Sequence, residues 1–130
     1  FVFSENVTGS QSTGSHIASV LPPQEESVYT GFNFKTEQVR AQKADSVLDL
    51  FEVEPPHFIK MDVEGAENLV LLGGGDLLMK HKPILFIEVH NILAMLDVVK
   101  TLYRYGYEII NKINDSEFST SRCFIIAQNK

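Results

Sequence analysis

Two apolar runs of strand length, each closing in charged residues, constrain this chain more than any other feature. The first is Phe58-Ile-Lys-Met61, which leads to Asp62 and Glu64; the second is Ile84-Leu-Phe-Ile87, which leads to Glu88 and His90. The stretch between them has helical periodicity, so the order is strand, helix, strand. A crossover of that kind makes the two strands parallel. Ligands of open parallel sheets sit outside the carboxyl ends of the strands. Asp62, Glu64, Glu88 and His90 are therefore expected to gather along one edge.

The linking helix is expected to run from Ala66 to Leu72, with Leu69, Val70 and Leu72 toward the sheet and Glu67 solvated or capping. Gly65 permits a turn conformation that a side chain would oppose. Gly73-Gly74-Gly75 lacks the spacing of a phosphate-binding loop and reads as a helix stop, after which Asp76 caps a short turn to His81. Asn91 is expected to cap a longer helix. In it Ile92, Leu93, Leu96, Val99, Leu102 and Tyr103 recur at helical spacing, and Asp97, Lys100, Thr101 and Arg104 fill the other side. Gly106 is the natural residue to end it. Residues 107–113 and 121–127 read as two strands joined by a polar turn, and a connection that short makes them antiparallel neighbours.

Upstream, Phe1-Val2-Phe3 reads as a strand and residues 4–25, rich in Ser, Thr, Gly and Pro, as a long polar loop. Residues 27–34 and 36–42 read as two short strands or one bent one. Asp45 is expected to cap a short helix over 46–51 with Val47, Leu48 and Phe51 on one face, ended by Pro55-Pro56.

At 130 residues and 44% hydrophobic content, the chain is read as one domain with a real core. A net charge of -6 argues against a nucleic-acid binder that relies on a basic surface. No apolar run approaches the roughly 20 residues of a membrane span. The single Cys123 fits a reducing compartment, and a cytoplasmic location is expected. Because the sequence opens at Phe1 within a strand-like run, it reads as a piece of a longer protein or a processed one.

Phe58-Ile-Lys-Met-Asp-Val-Glu-Gly-Ala-Glu67, Pro83-Ile-Leu-Phe-Ile-Glu-Val-His90 and Tyr105-Gly-Tyr107 together resemble the second half of the FkbM-type methyltransferases. The resemblance spans about residues 45–128 and is most specific between Lys60 and Glu67. It implies a three-layer, Rossmann-like α/β fold, mostly parallel with an antiparallel C-terminal hairpin. It also implies S-adenosylmethionine as cofactor and a small-molecule or sugar hydroxyl as methyl acceptor. The family's glycine-rich cofactor turn and the acidic residue after its second strand are absent. The expectation is therefore the C-terminal part of such a fold, lacking its N-terminal strands and inactive by itself. Asp62 matches the position beside the sulfonium and the acceptor.

Methyl transfer is an in-line displacement in which alignment matters most, and a hydroxyl acceptor gains from a general base. His90 is the preferred base, with an unperturbed pKa near 6.5. Glu88 and His90, two apart on a strand, share a side. Lys60 alternates onto the face of Asp62 and pairs with it or with Glu88. A divalent cation held by Asp62, Glu64, Glu88 and His90 is a competing reading, but the spacing matches no recognised metal signature and no metal is assigned. His16, His57 and His81 are left as surface residues. A further alternative is a non-catalytic α/β binding module, and an unpaired sheet edge makes self-association an expectation for either reading.

Overall fold

The computed structural model describes residues 2–5, 33–36, 39–114 and 123–130. Strand β1 (Val2–Glu5) pairs antiparallel with β2 (Asn33–Thr36) in a two-stranded sheet. The polar stretch expected over 4–25 therefore begins later than predicted, since Ser4 and Glu5 belong to β1, and the rest of it lies outside the described residues. The strand expected over 36–42 ends at Thr36, and residues 39–43 are exposed and irregular.

The main sheet contains β3 (Phe58–Met61), β4 (Ile84–Val89), β5 (Tyr107–Asn114) and β6 (Cys123–Asn129) in the order β3-β4-β6-β5. β3 and β4 are parallel, as their crossover demands. β6 runs antiparallel to both β4 and β5. The expectation of a mostly parallel sheet thus needs correction. β3, β4 and β5 point the same way, but β6 returns between β4 and β5, so one of the three pairings is parallel. The short link from β5 to β6 forces that reversal.

Four α-helices accompany the described strands: α1 (Val47–Phe51), α2 (Glu67–Gly73), α3 (Gly75–His81) and α4 (Ile92–Arg104). A 3₁₀ turn, Ala44–Ser46, immediately precedes α1. One core joins Met61, Leu85, Ile87, Val89, Ile125 and Ala127 from one face of the sheet to Leu71, Leu77, Leu78, Val98 and Leu102 from the helices. The opposite face carries Phe58, Lys60, Phe86, Glu88 and Phe124 by strand alternation, with the Phe86 and Phe124 rings stacked at 5.6 Å. Among the described residues this makes two layers, not the three expected.

Helices α1, α2 and α4 bury only part of the face expected of them, Leu48, Val70 and Leu102 packing on the core as predicted. In α2, Leu71 and Glu67 are buried, whereas Leu69 and Leu72 are exposed. In α4 the inward stripe is Ala94, Val98, Thr101 and Leu102, while Ile92 and Leu93 stay about 70% exposed. Thr101 belongs inside because its hydroxyl donates to Asn68 Oδ1 on α2 at 2.6 Å. In α1, Leu48 packs on the core and Phe51 faces solvent.

The predicted caps divide likewise. Asn91 caps α4, its Oδ1 accepting the Ala94 N–H at 2.8 Å, and Gly106 follows the helix at φ +79°. Asp45 makes no cap for α1; it accepts the Leu77 N–H at 2.8 Å and so caps α3 from a distance. Asp76 sits inside the first turn of α3 without a side-chain cap bond. Gly74 separates α2 from α3, and its Cα approaches Ala44 so closely that a Cβ would lie 3.1 Å from the alanine methyl. Buried Tyr107 fastens β5 to this region, its hydroxyl lying 3.0 Å from the Pro83 carbonyl and 3.3 Å from that of Leu78. Burial pushes its pKa up to about 12.

Asp45→Ala is expected to cost about 1 kcal/mol, the usual worth of a cap, and Asp76→Ala clearly less. Urea unfolding of the two variants side by side checks the assignment.

Candidate active site

β3 and β4 end side by side, and their alternation decides what gathers there. Met61 and Val89 turn into the core, so Lys60 and Glu88 turn to the other side. The chain then bends after Met61 through Val63-Glu-Gly-Ala66, where the Ala66 N–H donates to the Val63 carbonyl at 3.1 Å. Glu64 (φ +49°) and Gly65 (φ +93°) occupy its centre, both in the left-handed region, as in a type I′ turn. Gly65 accepts this freely, as its sequence position implied. Glu64 does not, and a non-glycine residue in that region costs roughly 1–2 kcal/mol. Strain of this kind collects where a side chain must be held for function.

His90 is the hub. Its ring is 10% exposed, with Nε2 3.5 Å from Asp62 Oδ1, 3.3 Å from Glu64 Oε2 and 3.6 Å from Glu88 Oε1. Nδ1 lies 2.8 Å from Glu67 Oε1. That same oxygen accepts the Gly65 N–H at 2.9 Å, so one buried carboxylate pins both the turn and the imidazole. Lys60 pairs with Asp62 at 3.4 Å, one of the two partners its alternation allowed. All five residues singled out as site candidates, Lys60, Asp62, Glu64, Glu88 and His90, thus meet at the carboxyl edge of the two parallel strands.

Glu67 is the residue that sequence reasoning missed. Placed among solvated or capping groups, it is instead 0% exposed. A signal was available: Leu71 is four residues on, so any phase that buries Leu71 buries Glu67 with it. A buried carboxylate requires a partner, and His90 supplies one.

Burial alone would raise the pKa of Glu67, but the hydrogen bonds from His90 and the Gly65 backbone outweigh it and hold the carboxyl below its ordinary range. Burial likewise opposes charge on His90, yet the Glu67 hydrogen bond and the negative charges of Glu64, Glu67 and Glu88 raise its pKa overall. At neutral pH the site is an imidazole enclosed by carboxylates, with Asp62 (39% exposed) and Glu64 (28% exposed) as its openings. Such a centre attracts cationic groups and takes up protons.

These features describe an α/β domain with an acidic, histidine-centred cluster at its strand ends. The family model of the methyltransferase FkbM domain matches residues 2–109, and the chain belongs to that family. Comparison with curated proteins and with solved structures finds no match. Among the described residues, no helix is long and apolar enough to cross a membrane.

The pair has a calculable pH signature. The contribution of Glu67 is present above its ordinary value of 4.5 and is lost as pH falls through its lowered value. The contribution of His90 is full below its ordinary 6.5 and is lost as pH rises through its raised value. Glu67→Gln is therefore expected to cost most between pH 4.5 and 6.5, roughly 2 kcal/mol as for a charged hydrogen bond, and less on either side. Urea unfolding across pH in metal-free buffer measures this. NMR titration of the ring should show the His90 pKa falling in the variant.

Proposed function

We propose that this chain takes part in methyl transfer from S-adenosylmethionine to a hydroxyl oxygen of a small molecule or sugar. The observation that carries the reading is the acidic cluster at the carboxyl ends of β3 and β4, in a chain of the methyltransferase FkbM domain family. When bound, the cofactor supplies an electrophilic methyl group on a positively charged sulfur. Carboxylates that are partly open, as those of Asp62 and Glu64 are, fit that charge.

Asp62 has the greater exposure of the two and is the residue assigned to the reacting atoms. A transferring hydroxyl must shed its proton, and the carboxylate–imidazole cluster is where that proton goes. Asp62 and Glu64 face outward to receive it; His90 stands behind them, its Nε2 buried. Lys60 holds Asp62 from the solvent side. Glu67 positions the imidazole and stays out of contact with substrate. Glu88 closes the cluster from β4.

Titrating S-adenosylmethionine into the chain by calorimetry tests the reading. Saturable binding is expected, weakened at least tenfold by Asp62→Ala while the melting temperature stays within a few degrees of wild type. Transfer to a panel of hydroxylated acceptors should disappear in the same variant. Absence of cofactor binding would favour a C-terminal part that is inactive by itself or a non-catalytic module, and unchanged affinity and turnover in Asp62→Ala would remove Asp62 from its role.

A further inference from the structure

Among the described residues, two buried side-chain atoms of this cluster, Glu67 Oε2 and His90 Nε2, make no hydrogen bond, and the second faces the site. Three carboxylate oxygens surround His90 Nε2 at 3.3–3.6 Å. Direct hydrogen bonds between such charged groups would close to about 2.8 Å. The observed separations instead suit atoms that share a metal ion. Ligands about 2.0–2.3 Å from a common ion stand about 3–3.7 Å apart when adjacent. One ligand atom each from Asp62, Glu88 and His90 all lie within 4.8 Å of one another.

The surroundings have the order that a metal site needs. Glu67 Oε1 lies 2.8 Å from Nδ1, and as a carboxylate it accepts the proton there. In the neutral ring this leaves the lone pair of Nε2 directed at Asp62, Glu64 and Glu88. The carboxylates around Nε2 favour a positive charge there, which a proton or a bound cation can supply. A carboxylate behind a ligating imidazole fixes its tautomer and strengthens it as a donor. Glu67, which positions the imidazole in the methyl-transfer reading, would orient it toward an ion in the same way.

We propose that Asp62, Glu88 and His90 form a binding site for one divalent cation, with Glu64 at its margin and Glu67 orienting the imidazole. Two carboxylates with one imidazole favour a first-row ion that accepts both oxygen and nitrogen, for which manganese(II) is the natural probe. Three protein ligands leave further positions open on the side where Asp62 is exposed. A hydroxyl oxygen bound there would lose its proton more readily. The proposal goes beyond methyl transfer and stands without it, because ion binding is read directly.

The purified chain, stripped with a chelator and exchanged into chelator-free buffer, is titrated with manganese(II) alone. Calorimetry and the loss of the free-ion electron paramagnetic resonance signal should give one ion per chain. Glu88→Gln and Glu67→Gln should each weaken binding about tenfold or more. Asp97→Asn, on the exposed side of α4, should leave it unchanged. In the wild-type chain, substoichiometric manganese(II) should broaden the His90 ring resonances before those of His57 or His81, a readout that does not depend on any variant folding. No binding at millimolar manganese(II), affinity that Glu88→Gln leaves unaltered, or broadening centred away from His90 would each overturn the proposal.

Discussion

The contact between Glu67 and His90 holds the functional end of this domain together. Glu67 opens α2 and His90 follows β4, so the bond spans the crossover that makes β3 and β4 neighbours. Both groups are withdrawn from water, where each alone would pay a large desolvation cost. They persist because Glu67 Oε1 also takes the Gly65 N–H, which secures the turn carrying Glu64. Turn, helix start and strand end are thereby tied at one oxygen atom. A lesser contact at this point would leave Asp62 and Glu64 on a loose loop, and a reaction governed by alignment tolerates little looseness.

The sheet supplies the complementary constraint. Alternation along β3 and β4 sends Ile59, Met61, Leu85, Ile87 and Val89 into the core, and this commits Lys60, Phe86 and Glu88 to the other side. The acidic cluster is therefore a consequence of register. A slip of one residue would bury Lys60 and expose Met61. Strand β6 secures that register from the far side of β4, with Leu85, Ile87 and Val89 paired to Ala127, Ile125 and Cys123.

Helix orientation shows where local pattern stops being informative. Both α2 and α4 carry more apolar residues than one face can hold, so several stripes compete. In α4, Ile92, Leu93 and Leu96 are the more hydrophobic choice, yet the stripe through Val98, Thr101 and Leu102 is the one that packs. It wins because Thr101 meets Asn68 across the α2 contact. Asp45 teaches the same lesson for caps. Its sequence position suits its own helix, but the unsatisfied N–H it reaches belongs to Leu77, 32 residues away.

What the sequence by itself determined are the features whose causes lie within a few residues. These include the parallel β3–β4 crossover, the antiparallel β5–β6 pair, the Asn91 cap, the turns at Gly65 and Gly106, and the charged residues at two strand ends. Their gathering followed from topology, because parallel strands joined by a crossover end on the same edge. Tertiary structure alone decided which helix faces are buried, and with them that Glu67 is an interior carboxylate serving His90. The physical reason is that burial of a charged group depends on a partner meeting it in space. That partner stands 23 residues further along the chain.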